Sequence, residues 1–189
     1  MPADSPRADF SRLVSLACHD LRTPLATVQG FAKTLLRQDD VGDPAARYLG
    51  IIDEASDELV QLLDVLSAAA RIEGGRYDPL LQEADSFALA QAAVPGATGS
   101  GAPVQVDVDA VERSLAALAR AASRHGGVEV SVAVAGAELS IAPITAEAAP
   151  IVLGDDPKDL GAAVAVRLVR ALGGEVVLAG ERLIVTLPS

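Results

Sequence analysis

The stretch SLACHDLRTPLATVQG, Ser15 to Gly30, sets a histidine beside an acid and then places a proline inside an otherwise helical pattern. From Phe10 to about Arg37 the residues Val14, Ala17, Leu21, Pro24, Val28, Phe31 and Leu35 recur at steps of three and four, the seven-residue repeat of a helix carrying one coiled-coil-like seam. After the polar turn QDDVGDPA the same rule returns in Tyr48, Ile52, Ala55, Leu59, Leu62, Leu66 and Ala69, and it stops at the EGG breaker, Glu73 to Gly75. Asp43, one residue before Pro44, suits an N-cap followed by proline in the first turn. An antiparallel helical hairpin is therefore expected over residues 10–75, its two helices burying this seam against each other. Leu49, Ile51, Leu63 and Val65 add apolar surface beyond what a lone hairpin hides. A four-helix bundle made by two chains, a homodimer, resolves that surplus; the alternative is packing of the hairpin on the rest of its own chain.

After Arg76 the pattern changes. A short helix is expected from Ser86 to Ala93, then a flexible PGATGSGAP, with strand-like alternation at VQVDV, VEVSVAV, AELSIA, EVVLA and RLIVTL. Helical patterns run from about Ala110 to Arg124 and from Leu160 to Leu172, and Gly126-Gly127 and Gly173-Gly174 close them. Helices and a mostly antiparallel sheet in one unit imply a two-layer α/β sandwich. The chain thus divides into a disordered arm (1–9), a hairpin (10–75) and a sandwich (76–189).

Bulk properties narrow the function. Half of the 189 residues are apolar, which is enough for a core, but three Phe, two Tyr and no Trp mean that small aliphatic side chains must build it. One cysteine, Cys18, excludes an internal disulfide and any cysteine-cluster metal site, and reads as a small packing residue. The net charge of −11 is shared between the halves, with no basic tract. Nucleic acid and an anionic membrane surface are therefore unexpected partners. No apolar run approaches the roughly 20 residues that span a bilayer, and a cytoplasmic protein is expected.

In the heptad register His19 falls on the outermost position of its helix and should be exposed. Taken alone, an exposed helical histidine is an ordinary polar surface residue. Its neighbours change that reading. Asp20 can accept a hydrogen bond from one imidazole nitrogen, which fixes the tautomer and raises the nucleophilicity of the other. Thr23, one helical turn on, could orient a water or a phosphoryl oxygen, and Arg22 could offer a cation to a phosphate. Pro24 costs about 3 kcal/mol inside a helix, because it lacks an N–H and collides with the carbonyl of Asp20.

HDLRTPL on the first helix of a hairpin that ends in ARIEGG resembles the H-box of two-component sensor histidine kinases, in their dimerisation and phosphoacceptor domain. The resemblance implies that His19 is the phosphorylated histidine, Asp20 the acid assisting phosphoryl transfer, and Thr23 the residue associated with dephosphorylating the partner response regulator. Residues 76–189 are similar to the family's ATP-binding domain in the order and spacing of their elements, and depart from it at all three nucleotide-binding boxes. The two asparagines expected four residues apart on VDVDAVERSLAALARAASRHGG line up with Ala117 and Ala121, and an alanine methyl gives magnesium no oxygen ligand. Arg124 and His125 follow on that helix, His125 reading as a cap rather than a metal ligand. Where Asp-x-Gly-x-Gly is expected the chain has PITAEAAPIVL, and where Gly-x-Gly-Leu is expected Asp159 stands at the first glycine and Gly161 at the second. The short segment between these boxes carries Asp155 and Asp156, which repel ATP.

The expectation is a phosphotransfer protein, similar to bacterial histidine phosphotransferases with vestigial ATP domains. His19 exchanges a phosphoryl group with the aspartate of a response-regulator receiver domain, with ATP and magnesium binding lost and an upstream histidine kinase as a further partner. The alternatives are an active kinase with an atypical ATP site and a dimeric binding module without chemistry.

Overall fold

The structure, a computed structural model, describes residues 6–37 and 42–188, which fall into two compact units divided between Gly75 and Arg76. The first is a hairpin of two long helices, α1 (Pro6–Leu36) and α2 (Asp43–Glu73). Helix α1 begins at Pro6, so residues 6–9 of the expected arm are helical, and it runs unbroken through Pro24. Gly42, not Asp43, occupies the N-cap of α2; Asp43 is its first helical residue, and Gly74 closes the far end. The first half of the turn QDDVGDPA, 38–41, lies outside the described residues, as do the side chains of Ala17 and Asp43.

The faces of the hairpin are the reverse of the expected ones. Ser11, Cys18 and Ala32 on α1 and Ser56 and Ala70 on α2 are buried, with Leu25, Leu49 and Leu63 half-buried between them in the same rows. Both rows repeat every seven residues, so each keeps to one side of its helix. Small side chains at the contact let the helices approach, and the Ser56 hydroxyl is satisfied by donating to the Ile52 carbonyl at 2.7 Å. The seam expected inside is left outside: Leu21, Val28, Phe31 and Leu35 of α1 and Tyr48, Ile52, Leu59, Leu62 and Leu66 of α2 are all exposed, Phe31 by 67% and Tyr48 by 66%. Leu49 and Leu63, expected as surplus, help to form the inner contact.

A polar ladder fixes the register along one flank. Arg22 Nη2 donates to Asp64 Oδ1 at 2.5 Å, the Gln29 amide donates to Asp57, and Lys33 lies 3.6 Å from Asp53 and 3.8 Å from Asp57. Each step of seven or four residues down α1 is matched by the same step back along α2, which is the signature of an antiparallel pair.

The second unit opens with β1 (Gln82–Asp85), α3 (Ser86–Ala93), β2 (Thr98–Gly101), β3 (Pro103–Val106) and α4 (Val108–Gly126). It continues through β4 (Ser131–Gly136), β5 (Glu138–Ala142), α5 (Ala149–Val152), α6 (Leu160–Ala171), β6 (Glu175–Ala179) and β7 (Arg182–Thr186). A five-stranded sheet has the order β2-β4-β5-β7-β6, antiparallel except for the parallel pair β2/β4, and β1 pairs with β3 in a separate two-stranded sheet. Alternate residues Val132, Val134, Leu139, Ile141, Leu183 and Val185 are buried with Leu115 and Leu118 of α4 and Val166 and Val169 of α6. This is the expected two-layer sandwich.

Three local expectations change. Within PGATGSGAP, read as flexible, Thr98–Gly101 forms β2 at the sheet edge. Gly99 has φ +112°, and a Cβ there would strike the Val134 carbonyl oxygen, so the close strand contact requires glycine. VQVDV is not in the five-stranded sheet but pairs with β1, and its strand ends at Val106, because the Asp107 carboxylate caps α4 by accepting from Ala110 N at 3.1 Å. PITAEAAPIVL, which has no expected element, holds the single turn α5. Gly127 and Gly173, with φ +65° and +89°, end α4 and α6 as expected.

The small inner row of the hairpin gives a direct test. Ala32 is buried on this row, 3% exposed, so Ala32→Leu should destabilise the hairpin by about 1–3 kcal/mol through overpacking, read as a lower midpoint in denaturant unfolding followed by circular dichroism.

Candidate functional site

The inward direction of Cys18 decides where the next residues go. Successive helical positions are rotated by about 100°, so His19 and Asp20 emerge on the outer side of α1. The His19 side chain is 77% exposed, and its Nδ1 lies 3.1 Å from Asp20 Oδ1. A carboxylate can only accept in this bond, so Nδ1 carries the hydrogen, and in the neutral ring Nε2 holds the free lone pair. Thr23 is exposed one turn further on, and its carbonyl accepts the Thr27 hydroxyl at 3.1 Å. Pro24 offers no N–H to the Asp20 carbonyl. His19, Asp20 and Thr23 thus share one solvent-facing turn, with a nucleophilic nitrogen outermost.

Arg22 belongs to the same turn but is not free: its guanidinium is bound to Asp64 of α2. Asp64 is the residue that reading along the chain misses. The signal that finds it is the antiparallel register, which sets residue 64 opposite residue 22 once the hairpin loop is counted.

In the second unit two of the three sequence departures, those at Ala117 and at Asp159, meet at the start of α6. Asp159 is that helix's N-cap; its Oδ1 accepts from Ala162 N at 3.0 Å, and its side chain is only 12% exposed. The other oxygen faces α4, with Arg124 Nη1 at 3.5 Å and His125 Nε2 at 3.4 Å. His125 therefore pairs with a capping carboxylate. A Cβ on Gly161 would stand 3.4 Å from Ala117 Cβ, so the first turn of α6 packs closely on α4 at one of the two alanine positions. Ala121, the other, is buried. Ala117 and Ala121 provide no oxygen, and a carboxylate already occupies the helix terminus where a phosphate would gain from backbone N–H groups and the helix dipole. This donor set does not fit a magnesium-bound nucleotide. Among the described residues no group of three or more His, Cys, Asp or Glu side chains could hold a metal ion, and no helix is long and apolar enough to cross a membrane.

Residues 11–75 match the family described as the His Kinase A (phospho-acceptor) domain. The sensor protein KdpD of Mycobacterium tuberculosis is 39% identical over 126 residues, a match covering 59% of this chain and 14% of that protein. A sensor-like histidine kinase of Rhizobium meliloti is 28% identical over 83 residues, covering 42% of this chain and 16% of that one. The chain therefore spans only a small part of the length of the curated relatives it matches. Among solved structures, full-length ShkA in complex with AMPPNP is similar with a TM-score of 0.68, over 94% of this chain and 45% of that chain, at 20% identity. The histidine kinase AdeS of Acinetobacter baumannii gives 0.51 over 89% and 95%, also at 20% identity. At such identity the likeness is one of fold.

The contacts of Asp159 separate two roles. Asp159→Ala removes the cap and should cost about 0.5–2 kcal/mol, whereas Asp159→Asn keeps a capping oxygen and loses only the charge pairing with Arg124 and His125, and should cost under about 1 kcal/mol. Denaturant midpoints of the two variants measure the difference.

Proposed function

We propose that the chain is a member of the two-component histidine kinase family, whose phospho-acceptor domain its residues 11–75 match, and that it is a phosphotransfer protein in which His19 exchanges a phosphoryl group with the aspartate of a response-regulator receiver domain. The observation that carries this reading is the outward Nε2 of His19, left with its lone pair by the Nδ1–H bond to Asp20. In the forward step Nε2 bonds to the phosphorus of an aspartyl phosphate while the P–O bond breaks and its electron pair returns to the receiver carboxylate. Positive charge develops on the ring, Asp20 stabilises it through Nδ1–H, and that proton leaves to solvent. The reverse step passes the group to a receiver, and a partner kinase is a second source of it. Thr23, on the same turn, is the residue we assign to positioning water for hydrolysis of the receiver's phosphate.

The second unit serves this role as scaffold or docking surface, not as a nucleotide site. Positioning and charge neutralisation account for nearly all of phosphoryl-transfer catalysis, and Asp159, Ala117 and Ala121 supply neither for a magnesium-bound triphosphate. The active unit is a homodimer: the exposed row of Leu21, Val28, Phe31, Tyr48, Ile52 and Leu59 is the kind of contiguous apolar face that marks an interface, and a second copy covers it as a four-helix bundle.

Label should pass from a phosphorylated receiver to this protein and be lost in His19→Ala, while calorimetry with ATP, with and without magnesium, should show no binding heat. Incorporation of label from γ-labelled ATP into His19 would overturn the nucleotide-free reading. Phe31→Glu combined with Leu59→Glu should convert the dimer to a helical monomer in sedimentation; an unchanged dimer would contradict the interface.

A further inference from the structure

We propose that Arg22 is a phosphoryl-sensing clamp: Asp64 holds its guanidinium while His19 is bare, and the guanidinium leaves Asp64 for the phosphoryl oxygens once His19 carries the group. The inference rests on His19 being the phosphoacceptor. Arg22 follows His19 by three positions, a spacing that makes the two side chains neighbours on a helix surface. Within the described residues of the hairpin it is also the cation nearest His19 in sequence, because α1 has no other Lys or Arg between Arg12 and Lys33, and α2 has none between Arg47 and Arg71.

The charge balance around His19 favours the exchange. On the bare histidine Asp20 pairs with the ring and Asp64 with Arg22, so these contacts set two carboxylates against one guanidinium. A phosphoryl group adds roughly −1.5 to −2 more, and a guanidinium presents five donors in a fork that matches phosphate oxygens. The bond to Asp64 is short, at 2.5 Å, but its members are 38% and 54% exposed. An exposed pair of this kind contributes little in water, whereas a forked Arg–phosphate pair is among the stronger contacts a side chain makes. Movement of Arg22 removes one rung of the ladder joining α1 to α2, beside the residue that a receiver must reach. The state of His19 is thereby reported in the tie between the two helices.

The test uses phosphoramidate, which phosphorylates histidine without any kinase. Nε2 bonds to phosphorus, ammonia departs with the electron pair of the broken P–N bond, and the ring releases its Nδ1 proton to water. In the full chain, the Asp64 side-chain carboxyl carbon resonance should shift on phosphorylation. Asp64→Asn, which frees Arg22, should speed labelling by about fivefold, the factor that loss of an exposed ion pair supplies. Arg22→Gln should slow labelling, Arg22→Lys should restore part of the rate, and the double variant should label like Arg22→Gln alone, because Asp64 acts only through Arg22. Equal acceleration by Asp64→Asn in both backgrounds, or an Asp64 resonance unmoved by phosphorylation, would overturn the clamp while leaving the phosphoacceptor intact. Absence of any label on His19 in the folded chain would remove both.

Discussion

A row of small side chains sets the direction of everything in the first unit. Ser11, Cys18 and Ala32 of α1 lie inside the hairpin with Ser56 and Ala70 of α2, and because a helix turns by about 100° per residue, burying Cys18 forces His19 and Asp20 outward. The same choice of inner face leaves Leu21, Val28 and Phe31 exposed. One packing decision therefore yields both a histidine presented to solvent and an apolar face waiting for cover. Larger residues on the inner row would separate the helices and remove the register on which the Arg22–Asp64 and Gln29–Asp57 rungs depend.

Chemistry follows from what surrounds the imidazole. Asp20 holds Nδ1–H and so leaves the other nitrogen of the neutral ring with its lone pair facing solvent. The second unit shows the opposite treatment of charge. There a carboxylate, Asp159, caps α6 and reaches Arg124 and His125, so the polar groups at that helix terminus are satisfied from within the chain. One unit leaves a ring nitrogen open to solvent; the other fills a helix terminus with its own carboxylate.

Much of this was legible along the chain, and the errors have a common cause. The presence and order of the long helices, the closing glycines Gly127 and Gly173 and the alternating strands follow from periodicity and turn chemistry, whereas His19 is exposed in a different register from the one that predicted it, because Cys18 and not Leu21 faces inward. The inner face of the hairpin does not follow from periodicity. Both the row of Leu21, Val28 and Leu35 and the row of Ser11, Cys18, Leu25 and Ala32 repeat every seven residues, and ranking by hydrophobicity selects the bulkier row, whereas close approach of two helices selects the smaller. Strand β2 escaped notice because TGSG pairs through backbone alone and carries no alternating side chains. Asp64 was invisible because its meaning comes from register, a property of two segments together.

The measurement that bears most directly on the central claim is the pair of nitrogen-15 chemical shifts of the His19 ring at neutral pH. The account predicts a protonated Nδ1 coupled to Asp20, an unprotonated Nε2, and loss of that preference in Asp20→Ala. A ring protonated mainly at Nε2, or a tautomer indifferent to Asp20, would contradict it.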